Sequence, residues 1–256
     1  MYAFFAELLS DKKSGTIFQC FGPAHLAFVF LFTGLAACLY FGIRHRRADT
    51  IKKTVSGVLN WAVGLYIADI FLMPLAYGEI DVEKLPFHVC TAMCVACFLS
   101  RHTRFFGKYK LQFATLGFVS NLVYLIYPAG VMWHGVHPQS YRVVQTLSFH
   151  GIMMVYGFLV LCFEKDGFSW KRIYRDGAVI IGMTAWAILG NLLYNSEART
   201  YNWFFVVQDP FGMFPQSVAP FVMPIVNIVL FFVVEILVYL FFMGLRKRAE
   251  NSAIIC

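Results

Sequence analysis

The chain has 256 residues, of which 59% are hydrophobic, 18% aromatic and 14% charged, and its mean hydropathy is +0.66. Soluble domains carry about 25% charged residues, and here the apolar residues gather into long runs between short charged stretches, so a water-soluble globule is excluded and a polytopic integral membrane protein is implied. The formal charge of +7 is read as a topology signal, and no nucleic-acid partner is expected from it.

Residues 1–21 begin MYAFFAELLSDKKSG, with the apolar residues first and the lysines after, the reverse of a secretory signal. Phe4, Phe5, Leu8 and Leu9 share one helical face, which predicts a short interfacial helix on the outer leaflet. Seven spans follow at 22–43, 55–77, 86–100, 112–130, 143–163, 176–195 and 217–245, so the fold class is all-α, a seven-transmembrane-helix bundle forming one integral membrane domain over 1–256. The third span is short, since crossing a bilayer takes about 20 apolar residues.

The connections at 44–54, 101–111 and 164–175, with the tail after Gly244, hold 16 of the 21 Lys and Arg residues. Lys12, Lys13, Lys84, Arg142 and Arg199 are the others. By the positive-inside rule the basic side is cytoplasmic, which predicts the N-terminus outside and the C-terminus in the cytoplasm. Trp133 and Trp203 in outer loops, and Trp170 in an inner one, suit an aromatic belt.

The seven cysteines do not suggest a disulfide framework, because no pair falls in the outer loops. The terminal AIIC is not a prenylation box, and spans five to seven contain no lysine for a retinal-type Schiff base. No cofactor is expected.

Polar groups at membrane depth are costly and therefore informative. They are His25, Asn60, Asp69, His88, Asn121, His150, Asn191, Asn195, Asn227 and Glu235. At the helical rise, Asp69 lies about 12 Å and His150 about 10 Å below the outer boundary. His25 and His88 lie just inside it, and Asn191 and Asn195 fall in the last turn of span six. A single polar cavity in the outer half is expected, lined by His25, Asp69, His88, His150 and Asn191, with Asn195 at its edge. Each of these residues is also open to a simpler role as a helix–helix hydrogen bond of about 1 kcal/mol.

The third span, in KLPFHVCTAMCVACFLSR, concentrates the chemistry. Cys90, Cys94 and Cys97 form one stripe of a regular helix, with His88 about 200° around from Cys90. Cys94 and Cys97 read as small packing residues. Cys90 sits near the helix start, where amides favour a thiolate, and His150 at comparable depth is the candidate base. WHGVH puts His134 and His137 in an outer loop where, with His88 and Asp69, the spacing permits a metal without indicating one, and none is expected. The longest outer loop, EARTYNWFFVVQDPFGMFPQ (197–216), is amphipathic and rich in aromatics, and is expected to fold back as a lid.

LPFHVC (85–90), FGPAHL (21–26), TLSFHG (146–151) and NLLYN (191–195) resemble the YwaF-type integral membrane proteins of bacteria, from His25 through the DPFG loop. Eukaryotic relatives of that family are similar to membrane-embedded phospholipid acyltransferases, which move acyl chains through an acyl-cysteine with a histidine as base. The resemblance implies that His150 is that histidine. The relatives' cysteine immediately precedes the histidine of the third helix, and Phe87 stands there instead, with Cys90 one turn further on.

The expected function is therefore that of a lipid-directed protein of the bacterial plasma membrane, an acyltransferase or acyl hydrolase with membrane lipids as partners. Cys90 would be nucleophile and His150 base, with His88 or Asn191 polarising the ester carbonyl. The alternative is a non-catalytic seven-helix receptor, transporter or accessory protein that binds a small ligand and tolerates Cys90→Ala. No similarity between halves supports transport.

Overall fold

The computed structural model describes residues 17–77, 82–132, 135–164, 169–197, 199–210 and 212–254. The expected interfacial helix, Trp133 and His134 of WHGVH, and Cys256 lie outside them. Among the described residues all regular structure is helical. The α-helices are α1 Pro23–Ile43, α2 Ala48–Tyr77, α3 Val89–His102, α4 Arg104–Gly107, α5 Lys110–Ile126, α6 Ala129–Met132, α7 Tyr141–Phe163, α8 Tyr174–Tyr194 and α9 Ala219–Ile254. Short 3-10 turns occur at Val82–Lys84, Trp170–Arg172 and Trp203–Phe205.

Among the described residues six stretches are long and apolar enough to cross a membrane: Pro23–Ile43, Ala48–Leu72, Lys110–Met132, Tyr141–Phe163, Tyr174–Tyr194 and Ala219–Leu245. The third expected span is a shorter apolar helix, α3, of 14 residues. It begins at Val89 with His88 as its N-cap, not at Pro86 as a first-turn proline would suggest. Two features hold the preceding residues out of helix. The Phe87 N–H closes a tight turn on the Leu85 carbonyl at 2.7 Å, and the Trp186 indole N–H donates to the Pro86 carbonyl at 2.6 Å. His88 is therefore extended and stands outside the regular helix, and Cys90 occupies the first turn.

The chain forms two compact units, one of residues up to Lys84 with Gly117–Leu159, the other of Leu85–Leu116 with Val160 onward. In the first, α1 meets α7 where a Cβ on Gly151 would lie 2.1 Å from the Phe32 ring. Real Cβ atoms do not come that close, so the glycine that follows His150 is what admits Phe32. The Phe18 N–H also donates to the Val136 carbonyl at 2.8 Å. In the second unit, α8 packs on α9, on α3 and on the 3-10 turn Trp203–Phe205. Arg175 donates to the Lys108 carbonyl at 3.1 Å, and Lys110 pairs with Glu164.

Candidate functional site

Each expected polar residue has a definite setting, beginning with the first unit. His25 is fully buried. The Phe21 N–H donates to its Nδ1 at 2.9 Å, so the proton is on Nε2, which lies 2.8 Å from the Leu125 carbonyl. Leu125 is in the last turn of α5, where carbonyls lack helical partners. His25 thus ties the start of α1 to the end of α5, and both ring nitrogens are engaged by backbone. Phe21 itself has a left-handed φ of 59°.

Asp69 is 1% exposed. Its Oδ2 lies 3.0 Å from the Lys84 Nζ, while its Oδ1 is buried with no hydrogen-bond partner. The Tyr66 hydroxyl donates to the Lys84 carbonyl at 2.8 Å, fastening the turn that carries the lysine to α2. Lys84, a stray charge in the sequence, is the counter-ion that makes an ionised Asp69 tolerable at membrane depth.

His150 is buried on α7, and its Nδ1 lies 2.7 Å from the Thr146 carbonyl one turn earlier. A carbonyl only accepts, so Nδ1 carries the proton and the lone pair is on Nε2. The ring stacks on Tyr124 with centroids 3.7 Å apart and planes 14° from parallel, and meets Phe149 edge-on. Tautomer and orientation are both fixed, as a general base requires.

In the second unit Cys90 is buried in the first turn of α3, and His88 meets Phe205 edge to face at 5.9 Å. Phe87, at the relatives' cysteine position, is the hub of an aromatic cluster. Its ring lies 5.0 Å from Trp186, 5.1 Å from Trp203 and 5.7 Å from Tyr194. A Cβ on Gly190 would come 2.4 Å from that ring, so phenylalanine at 87 depends on glycine at 190.

Asparagines fasten the segment after α8. Asn191 donates to the Ala187 carbonyl at 2.8 Å and the Trp203 carbonyl at 3.2 Å, and accepts from the Trp203 N–H at 3.2 Å. Both of its amide hydrogens are therefore committed to backbone. Asn195 makes the same two-sided pairing with Tyr201, at 3.1 Å and 2.6 Å. Asn227 of α9 donates to the Phe204 carbonyl at 2.6 Å, and the Asn202 side-chain Oδ1 accepts from the Val207 and Gln208 N–H groups, each at 3.0 Å. The fastened segment buries Trp203 and Phe204 and holds Phe204 and Phe205 at φ of 56° and 53°. Large side chains rarely adopt that conformation.

Cys90, His88, Asn191 and Asn195 thus belong to the second unit, as do Phe87 and Trp203, and His25, Asp69 and His150 belong to the first. Lys84 and Trp203 were missed by sequence reasoning. So was a cluster at the other end of α8, where the Tyr239 hydroxyl donates to Asp176 Oδ1 at 2.6 Å and Thr115 Oγ1 lies 3.1 Å from that hydroxyl. Glu235 of α9 is buried as well, and both of its carboxyl oxygens lack a hydrogen-bond partner. His137 serves a turn, accepting from the Gln139 N–H at 3.2 Å. Among the described residues no group of three or more His, Cys, Asp or Glu is placed to hold a metal ion.

Comparison with known proteins gives one result of substance: residues 20–252 match the model of the TMEM164 family. No curated protein and no solved structure matches the chain. With nearly its whole length covered, and six helices among the described residues fit to cross a bilayer, the chain belongs to the TMEM164 family, a family of membrane proteins.

Proposed function

We propose that this protein is a lipid-directed membrane enzyme, an acyltransferase or acyl hydrolase of the bacterial plasma membrane, with Cys90 as nucleophile and His150 as general base. The topology that goes with this reading has seven crossings and the N-terminus outside, motivated by the 16 basic residues gathered on one side. The likeness to YwaF-type proteins and their acyl-transferring relatives supports it. The observation that carries it is the His150 tautomer, with Nδ1–H held by the Thr146 carbonyl and a basic lone pair on Nε2.

In this reading Nε2 takes the thiol proton, and the Cys90 sulfur attacks the ester carbonyl carbon of a phospholipid. The carbon–oxygen bond to glycerol then breaks, and His150 returns the proton to the departing lysophospholipid oxygen. A hydroxyl of a second lysophospholipid, or water, next gives its proton to His150 and attacks the thioester. The thiolate leaves and recovers that proton. His88 is assigned the carbonyl-polarising role, since the amide of Asn191 is already spent on backbone.

One observation favours the non-catalytic alternative: the unpartnered Oδ1 of Asp69 would take a donor from a bound ligand. A transfer assay separates the two. Purified protein is reconstituted with a phospholipid labelled in one acyl chain, and label reaching a lysophospholipid or water is followed. Cys90→Ala and His150→Ala are each expected to cut the rate at least about 100-fold in protein that remains folded. Wild-type rates in both variants would overturn the reading. So would lipid binding without turnover in the wild type, lost in Asp69→Asn and kept in Cys90→Ala.

A further inference from the structure

Trp203 is 2% exposed, and its indole N–H is buried with no acceptor. Leaving such a donor unpaired forfeits the hydrogen bond it would make to water, and native proteins rarely tolerate it without a reason. The ring cannot turn to find a partner. Asn191 holds the Trp203 backbone on both sides, Tyr201 stacks on the ring at 4.8 Å and 3° from parallel, and Tyr194 stands edge-on at 5.7 Å. The next two residues are held in left-handed conformations, so strain and an orphan donor fall in one three-residue segment. Phe87, two residues before the helix that starts at Val89 and carries Cys90, lies 5.1 Å away.

We propose that the Trp203 indole N–H is the hydrogen-bond donor of the lipid site and that its acceptor is the ester carbonyl oxygen of a phospholipid acyl chain. This rests on the lipid-directed reading above and adds a binding residue to it. The donor is neutral and its surroundings are aromatic rings, which suits an uncharged carbonyl at the head of an apolar chain. A phosphate among those rings would need a cation, and Arg199, stacked over Tyr201 at 5.2 Å, is exposed. Trp203 thereby supplies the contact that the committed amide of Asn191 does not.

The test compares two probes with the same headgroup and chain lengths, a diacyl phospholipid and its dialkyl ether analogue, which lacks the carbonyls. Binding to the purified full chain is followed by native mass spectrometry. The wild type is expected to prefer the diacyl lipid by about five-fold, the worth of one ordinary hydrogen bond, and Trp203→Phe to abolish the preference. If Trp203→Phe unfolds, the wild-type comparison alone decides, because equal binding of the two lipids overturns the proposal. An unchanged preference in a folded Trp203→Phe, or equal weakening of both lipids, also overturns it. If the wild type binds neither lipid, the lipid-directed reading itself fails and the proposal with it.

Discussion

Replacing Lys84 with methionine is expected to destabilise the protein by about 3–5 kcal/mol, among the largest effects of any single substitution outside the core. The side chains of Lys84 and Asp69 are 20% and 2% exposed, and their charged atoms are 3.0 Å apart. Removing the ammonium leaves a carboxylate in low dielectric with one oxygen already unpartnered. The double variant Asp69→Asn, Lys84→Met removes both charges and should recover most of the loss. Thermal unfolding in detergent reads the difference directly. Equal midpoints for the single and double variants would show that the ion pair is incidental.

Asn191→Leu is the second large effect. The leucine fills similar space but removes three hydrogen bonds, leaving the buried N–H and carbonyl of Trp203 without partners at about 1–3 kcal/mol each. The segment around Trp203 should release, with a red shift in tryptophan emission and new proteolytic cleavage within residues 199–208. Asn195→Ala, whose partner Tyr201 is bonded only in part-buried surroundings, should do much less. Cleavage at wild-type rates in Asn191→Leu would mean that other contacts hold the loop.

Helix positions were largely legible because hydropathy and length decide them in a membrane chain. The span expected at 22–43 is α1 at Pro23–Ile43, and that at 143–163 is α7 at Tyr141–Phe163. The cost of burying polar groups pointed to His25, Asp69, Asn121, His150, Asn191, Asn227 and Glu235, all of which are buried, whereas Asn60 is exposed.

What the sequence hid depends on contacts between distant residues. The start of α3 follows from an indole 100 positions away, which outweighs the local preference for proline in a first turn. His25 is held by a carbonyl 100 positions away. Lys84 looked like an outer-loop charge until α2 supplied its carboxylate. Trp203 suited an aromatic belt by composition, yet two-sided pairing with an asparagine draws it into the interior, and no periodicity announces that.

The central claim, that Cys90 carries an acyl group, has a direct test. The protein is incubated with a diacyl phospholipid and no acceptor, digested, and the peptide spanning residues 85–101 is weighed. An added acyl mass on Cys90, released by hydroxylamine and absent from His150→Ala, is the predicted result. An unmodified Cys90 in protein that still transfers acyl chains, or an acyl group found instead on Cys94 or Cys97, would contradict it.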